Sequence, residues 1–356
     1  MGATVDRSGP CTDYEQRLVV RDASIGLHAV VVVHSTARGP AFGGIRRWTY
    51  ASEPAVSADA LALARAMSRK CALVGLPAGG AKTAVWRSEG GEADWDACYR
   101  ALGRVVQSLG GHYVCGPDVG TGPRELDVVR GETTWVNPAA NDAGASTARG
   151  VLASMRAVFE RLGLGDEART RVAIVGLGAV GLGVARGLVA RGITVLGADV
   201  RADARARGRE LGVEIVPVDA IMQVECDVLA PCALGGSLDE HTVQSLRCRA
   251  ICGSANNQLA SPDAGRRLAG RGIVHAPDVI TSAGAVIEGV ITIREGSGAA
   301  ARERVHETID GLYGVTRDVL ERAHEQGRSP TEVAFELADE SIARAQAQAP
   351  RSSAGP

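Results

Sequence analysis

The chain lacks a strong charge of either sign. Its formal net charge is -2 over 356 residues, so composition gives no reason to expect nucleic acid or an anionic membrane as partner. It lacks an apolar run long enough to span a bilayer. The opening residues, MGATVDRSGPC, lack the basic stretch and apolar run of a secretory signal. Position 6 is Asp6, where myristoylation after Met1-Gly2 calls for Ser or Thr. A disulfide framework is missing too. Eight cysteines are spread over the chain, none as C-x-x-C, the nearest pairs being Cys226/Cys232 and Cys248/Cys252. Buried reduced thiols are therefore expected, with no metal site and a cytoplasmic compartment.

What is present is the balance of a globular protein: 45% apolar residues, 22% charged, and 45 glycines, many standing singly between apolar runs as short βα and αβ turns require. The length suits two domains. Strands are expected at 17–20 and 27–34 about a turn at 22–26, and again at 82–86 and 112–115. A helix is expected over 57–70 with Ser57 as N-cap, and another from Pro123 to Arg130. Residues 133–141 read as a linker, followed by a helix from about Ser146 to Leu162 that ends at Gly163. From Arg171 onward, strands at 172–175, 194–198, 213–216, 227–231, 250–253 and 273–276 alternate with short helices. That is the pattern of a parallel, doubly wound sheet. The last third is helical at 300–326 and 330–348, and the tail 350–356 is expected to be disordered.

The strand at 172–175 runs directly into Gly176-Leu177-Gly178-Ala179-Val180-Gly181, a G-x-G-x-x-G at a strand-to-helix junction. Such glycines permit a tight turn and close approach of a pyrophosphate, and the helix N-terminus offers it free N–H groups. The next strand ends at Asp199, the place for a carboxylate that binds ribose hydroxyls and repels a 2′-phosphate. NAD is the expected cofactor. Arg201, two residues on, could instead receive that phosphate.

Three smaller signals precede this region. Leu63, Ala66, Met67 and Lys70 share one helical face, which puts Lys70 at the edge of an apolar stripe, either snorkelling to water or facing a site. Lys82 follows the Gly-rich turn Gly75-Leu76-Pro77-Ala78-Gly79-Gly80-Ala81 and is either solvated or a base of lowered pKa. Asp118 stands in Gly116-Pro117-Asp118-Val119-Gly120-Thr121, where turn chemistry alone would account for an Asp.

Taken in order, Gly39-Pro40-Ala41-Phe42-Gly43-Gly44-Ile45-Arg46, Met67-Ser68-Arg69-Lys70, Gly79-Gly80-Ala81-Lys82, the Asp118 loop, the fingerprint, Ala230-Pro231-Cys232-Ala233, Gly253-Ser254-Ala255-Asn256-Asn257 and Ala276-Pro277-Asp278 resemble one family. It is the leucine/valine/phenylalanine branch of the amino acid dehydrogenases that include glutamate dehydrogenase, with bacterial valine dehydrogenases nearest in pattern. The likeness extends over nearly the whole chain. It implies an α/β chain with an N-terminal substrate and oligomerisation domain at 1–140 and a Rossmann NAD domain at 141–328. A final helix at 329–356 returns to the first domain.

The resemblance implies oxidative deamination of an L-amino acid, expected to be small or branched, to a 2-oxo acid and ammonia by a homo-oligomer. In it Lys70 would bind the substrate carboxylate, Lys82 would be the general base and Asp118 would assist proton transfer. Phe42, Gly43 and Gly44 would border the substrate, and Phe42 would shorten its pocket. Asn257 would hold substrate and Asn256 would lie near the cofactor, or the reverse. Thr147 would sit at the mouth of a cleft that closes. Gly176, Gly178, Ala179, Val180, Gly181, Asp199, Val200, Arg201, Cys232, Ala233 and Ser282 would line the cofactor.

Four positions depart from the family pattern: Ala81 and Ala285 for Gly, Ser282 for Asn, and Arg149 for an apolar or aromatic residue. Arg149 could select a polar substrate, and Phe42 could stack on an aromatic one. Two other readings remain at this point. One is a D-2-hydroxyacid dehydrogenase, for which Glu288 and His275 stand in the wrong order. The other is a catalytically weak NAD-binding homologue.

Overall fold

The computed structural model describes residues 3–9, 13–87, 93–164, 169–233 and 235–348; the tail expected to be disordered lies outside these. The chain forms two compact units. One is Met1–Asn141 with Thr292–Arg294 and Ala338–Pro356; the other is Asp142–Ile291 with Glu295–Leu337.

The first unit is built on strands β1 (Thr4–Ser8), β2 (Gln16–Asp22), β3 (Leu27–Ser35), β4 (Ala41–Trp48), β5 (Gly79–Trp86) and β6 (Tyr113–Gly116), in spatial order β1-β2-β3-β5-β4-β6. β1 to β3 and β5 pair antiparallel, whereas β4 pairs parallel with both β5 and β6. Val30 to Val33 alternate between two cores, so β3 reads as an unbroken apolar run. Val31, Ile45 and Ala81 face the helix Trp95–Ser108 through Tyr99, Leu102 and Val106. Val30, Val32 and Ala84 face the helix Glu53–Leu73 through Val56, Ala60 and Ala64.

That second helix starts earlier than the sequence suggests. Ser57 is not its cap; its hydroxyl accepts from Arg17 at 2.9 Å. Ser52 caps instead, accepting from the Ala55 N–H, with Glu53 and Pro54 in the first turn. Proline needs no N–H partner there, and an acid suits the positive helix end.

The second unit carries β7 (Arg171–Val175), β8 (Thr194–Ala198), β9 (Glu214–Ile215), β10 (Cys226–Pro231), β11 (Cys248–Ile251) and β12 (Val274–His275). All are parallel, in the order β12-β11-β10-β7-β8-β9. The order reverses direction between β7 and β10, where open parallel sheets bind ligands at their C-terminal ends. The long helix Ala143–Leu162 begins at Asp142, whose carboxylate accepts from the Ala145 N–H at 2.9 Å, and ends at Gly163 in the left-handed region. The expected helix over 300–326 is two, Ala299–Asp310 and Leu312–Gln326, parted at Gly311. A helix not foreseen, Gly284–Glu295, packs so closely that a Cβ on Gly284 would stand 1.9 Å from the Ser146 carbonyl oxygen.

The last helix, Pro330–Gln348, belongs to the first unit from Ala338 on. There Arg69 makes twin hydrogen bonds to Asp339 at 2.8 and 2.7 Å, and Ala72 packs with Ala338 and Ile342.

Candidate active site

Strand periodicity decides which side chains meet in the first unit. Ala41, Ile45, Ala81 and Val85 point into the core under the Trp95–Ser108 helix. Their alternates Phe42, Gly44 and Arg46 on β4, and Gly80, Lys82 and Ala84 on β5, take the opposite face. The helix Glu53–Leu73 covers β5 there because Gly80 has no side chain: a Cβ would lie 2.1 Å from the Ser68 nitrogen.

Lys82 is only 6% exposed, and its ammonium is paired with Asp118 Oδ2. Asp118 is aimed by a tight turn: it exchanges backbone hydrogen bonds with Thr121, and Gly120 supplies a φ of 75°. Asp118 Oδ1 accepts from the Val119 N–H at 2.6 Å. Arg46 Nε stands 3.5 Å from Asp118 Oδ2, and Arg46 Nη1 stands 3.4 Å from Asp59 Oδ2, which also accepts from the Tyr50 hydroxyl at 2.6 Å.

Burial pulls the Lys82 pKa below the ordinary lysine value, and the charge of Asp118 only partly restores it. Burial pushes Asp118 up, but the Lys82 ammonium, Arg46 and the Val119 N–H outweigh it and hold the carboxyl below its usual value. A buried amine beside a fixed carboxylate is equipped to take and return a proton.

Gly43 and Gly44 are required by packing. A Cβ on Gly43 would sit 1.6 Å from the Ala81 carbonyl oxygen, and one on Gly44 would sit 2.4 Å from that of Pro117 and 2.9 Å from Asp118 Cβ. Phe42 is buried at 6% exposure, and Lys70 is half-buried in the last turn of the Glu53–Leu73 helix.

In the second unit, Gly176 adopts a φ of 98° at the end of β7, and its absent Cβ would press on Ala233 at 2.8 Å. A Cβ on Gly181 would strike the Gly176 carbonyl oxygen at 2.0 Å, so this glycine lets helix and strand close up. Gly178 differs, since nothing lies within 4 Å of where its Cβ would be. The helix Ala179–Val189 starts there with no side chain capping it. An open, uncapped helix start fits a pyrophosphate. Asp199 accepts from the N–H groups of Leu177 and Arg201, both at 2.8 Å. Burial raises its carboxyl, but these N–H groups and the Arg201 charge hold it low, so it is an ionised acceptor. Beside it Val200 is 79% exposed. Cys232 follows β10, its N–H donating to the Val175 carbonyl at 2.8 Å, which places it with Gly176 and Ala233.

Residues 15–135 match the Glu/Leu/Phe/Val dehydrogenase dimerisation domain, and residues 199–349 match the Glutamate/Leucine/Phenylalanine/Valine dehydrogenase domain. A leucine dehydrogenase of Thermoactinomyces intermedius is 38% identical over 339 residues, 93% of this chain and 91% of that protein. The chain belongs to the Glu/Leu/Phe/Val dehydrogenase family. It is thus an amino acid dehydrogenase, an oxidoreductase acting on CH–NH2 donors. A valine dehydrogenase of Streptomyces albus is 40% identical over 346 residues, 94% of each chain. The L-tryptophan dehydrogenase of Nostoc punctiforme superposes with a TM-score of 0.80 at 30% identity, over 94% of this chain and 97% of that one.

Membership in the Glu/Leu/Phe/Val dehydrogenases removes the D-2-hydroxyacid alternative and leaves His275 a structural place, bonded to Gln258 and Thr331. The departures now have surroundings. The Ala81 methyl is fully buried in the core face of β5, turned away from Lys82. Arg149 makes twin bonds to Asp310 at 2.7 and 2.6 Å, which corrects the expectation of a cation free to select a polar substrate. Ser282 Oγ lies 2.6 Å from the Asp278 carbonyl oxygen and 3.2 Å from Asn256 Oδ1, so it holds the Asn256 side chain from the C-cap of the short helix Asp278–Thr281. Nothing in the structure explains Ala285.

Asn256 and Asn257 are both exposed. Asn257 has a φ of 53°, the one positive value among described non-glycine residues, and its N–H donates to Asp278 Oδ2 at 2.8 Å. Thr147 is buried, against the backbone of Gly284.

Sequence reasoning missed Tyr50 and Asp59 and gave Arg46 no role. It also passed over a plain signal: lysine occurs only at positions 70 and 82, against 37 arginines. Arginine serves nearly every cationic position here, but its guanidinium stays protonated in proteins and cannot act as a base.

Proposed function

We propose that the enzyme catalyses NAD-dependent, reversible oxidative deamination of a small or branched aliphatic L-amino acid to its 2-oxo acid and ammonia. The buried Lys82–Asp118 pair carries this reading. Gly176, Gly178, Ala179, Val180, Gly181, Asp199, Val200, Cys232, Ala233, Asn256 and Ser282 would hold NAD, which when bound would supply the acceptor for the hydride that leaves Cα. Lys82, as the free amine, takes a proton from the water that adds to the resulting iminium carbon. Asp118 relays a proton to the amine nitrogen, so that the C–N bond breaks with ammonia as the leaving group. Lys70 meets the substrate carboxylate as a compact charge, and Asn257 holds the substrate.

NAD rather than NADP is supported by the ionised Asp199, whose charge opposes a 2′-phosphate; Arg201 stands 3.6 Å from that carboxylate and is partly neutralised by it. The dimerisation domain matched at residues 15–135 supports a homo-oligomer. The seven described cysteines are all unpaired thiols, which supports a reducing, cytoplasmic location. No described helix is long and apolar enough to cross a membrane.

Aliphatic preference rests on the leucine and valine dehydrogenase relatives and on Phe42, which fills space on the Lys82 face of the sheet. The tryptophan dehydrogenase neighbour favours a second reading, an aromatic substrate stacked on Phe42. A panel of L-amino acids with NAD, read as NADH formed, separates them. Valine or leucine should lead, and Phe42→Ala should gain on larger substrates relative to valine. Tryptophan or phenylalanine leading, with the variant losing that activity, would establish the stacked reading instead.

A further inference from the structure

Arg46 raises a question that the reaction does not answer. Its Nε is buried and has no hydrogen-bond partner, although Asp118 Oδ2 is 3.5 Å away. A buried donor left unpaired is costly and persists where something else is gained. Arg46 is also steadied from behind: Asp59 lies 3.4 Å from its Nη1, and the Tyr50 hydroxyl donates to that same Asp59 oxygen at 2.6 Å. Lys82, Asp118, Arg46 and Asp59 therefore alternate in sign along one chain of contacts.

We propose that Arg46, steadied by Asp59 and Tyr50, is a positioning residue for the Lys82–Asp118 pair, its fixed positive charge keeping the Asp118 carboxylate ionised and aimed while favouring the free-amine form of Lys82. The proposal rests on the deamination reading above only for its kinetic arm. The charged groups facing Lys82 come from separate elements: Asp118 from the loop after β6, Arg46 from β4 with Tyr50 just beyond it, and Asp59 from the Glu53–Leu73 helix, which also carries Lys70. The Tyr113 hydroxyl lies across the sheet, donating to the Gly43 carbonyl. Of these, Arg46 opposes protonation of Lys82, whereas Asp118 and Asp59 favour it.

The signs follow directly. Removing the Arg46 charge makes Lys82 easier to protonate, so its titration midpoint rises. Removing the Asp59 charge makes it harder, so the midpoint falls. A full charge removed a few ångströms away at a partly buried site is worth about one pH unit.

Two lysines in the whole chain make the measurement clean. Protein grown with lysine labelled with carbon-13 at Cε gives two lysine resonances, and Lys82→Arg identifies the Lys82 signal. The titration midpoint of the pair is then followed by NMR in wild type, Arg46→Gln and Asp59→Asn, beside the acidic limb of kcat/KM against pH; Arg46→Lys, which adds a third lysine, is read by that limb alone. Arg46→Gln should move midpoint and limb up by about one pH unit, Asp59→Asn should move both down, and Arg46→Lys should leave the limb at its wild-type position. If Arg46→Gln does not fold, Asp59→Asn and Arg46→Lys still carry the sign and the rescue. Neutral variants that leave the midpoint in place, or shift it the same way, overturn the proposal. Midpoints that move as expected in a protein turning over no amino acid would uphold it and sink the deamination reading alone.

Discussion

Of the two strong cations, only lysine can give up its proton near neutrality. That single property makes position 82 interpretable: a chain that uses arginine almost everywhere keeps lysine at the buried end of a carboxylate pair. Lys82→Arg keeps the charge opposite Asp118 but removes the base. We expect kcat to fall about 100- to 10,000-fold, with NAD affinity by fluorescence titration unchanged. An Arg variant that retains most of the wild-type kcat would show that Lys82 only neutralises Asp118. Glycines flanking the site were legible as a motif, but their reason was not. That Gly44 must lack a Cβ to clear Asp118 follows from the loop after β6 passing over strand β4, which no local pattern encodes. Arg46, Asp59 and Tyr50 were invisible for a like reason: they lie on a strand, a helix and the turn between them, and meet only when that helix packs back on its strand.

At the scale of elements, the parallel sheet was the most readable part, because strand, glycine turn and helix repeat in order from Arg171. The edge strand β1 was not, since Thr4-Val5-Asp6-Arg7-Ser8 carries one apolar residue and is held to β2 by its backbone and by the Thr4 hydroxyl, which donates to the Arg21 carbonyl at 3.1 Å. One fastening between elements has a pH consequence. His275 on β12 is 2% exposed and bonded to Gln258 and to Thr331 at the start of the last helix. Burial lowers its pKa to about 4 from the ordinary 6.5. The unfolded chain therefore binds this proton first. Stability from the neutral ring is complete above pH 6.5 and is lost as pH falls toward 4, by about 3 kcal/mol in all. Denaturant unfolding at a series of pH values should show this slope in the wild type and a shallower one in His275→Gln. Parallel slopes would mean that the ring titrates alike in both states.

At the scale of the whole molecule, the proton-transfer centre lies in one unit and the dinucleotide fold in the other. Cofactor choice tests the second. Asp199→Ala removes an ionised acceptor and should weaken NAD binding by about 10- to 100-fold while narrowing the gap to NADP. Wild-type preference for NADP would instead make Arg201 the determinant. The central claim, that this is an amino acid dehydrogenase turning on Lys82 and Asp118, is tested most directly in the reverse direction. The enzyme is mixed with NADH and the 2-oxo acid corresponding to valine or leucine, with and without ammonium, and NADH loss is followed. Consumption is expected only when ammonium is present, with an L-amino acid as product and near-abolition of the rate in Lys82→Ala. NADH oxidation that proceeds without ammonium, or that survives in Lys82→Ala, would contradict it.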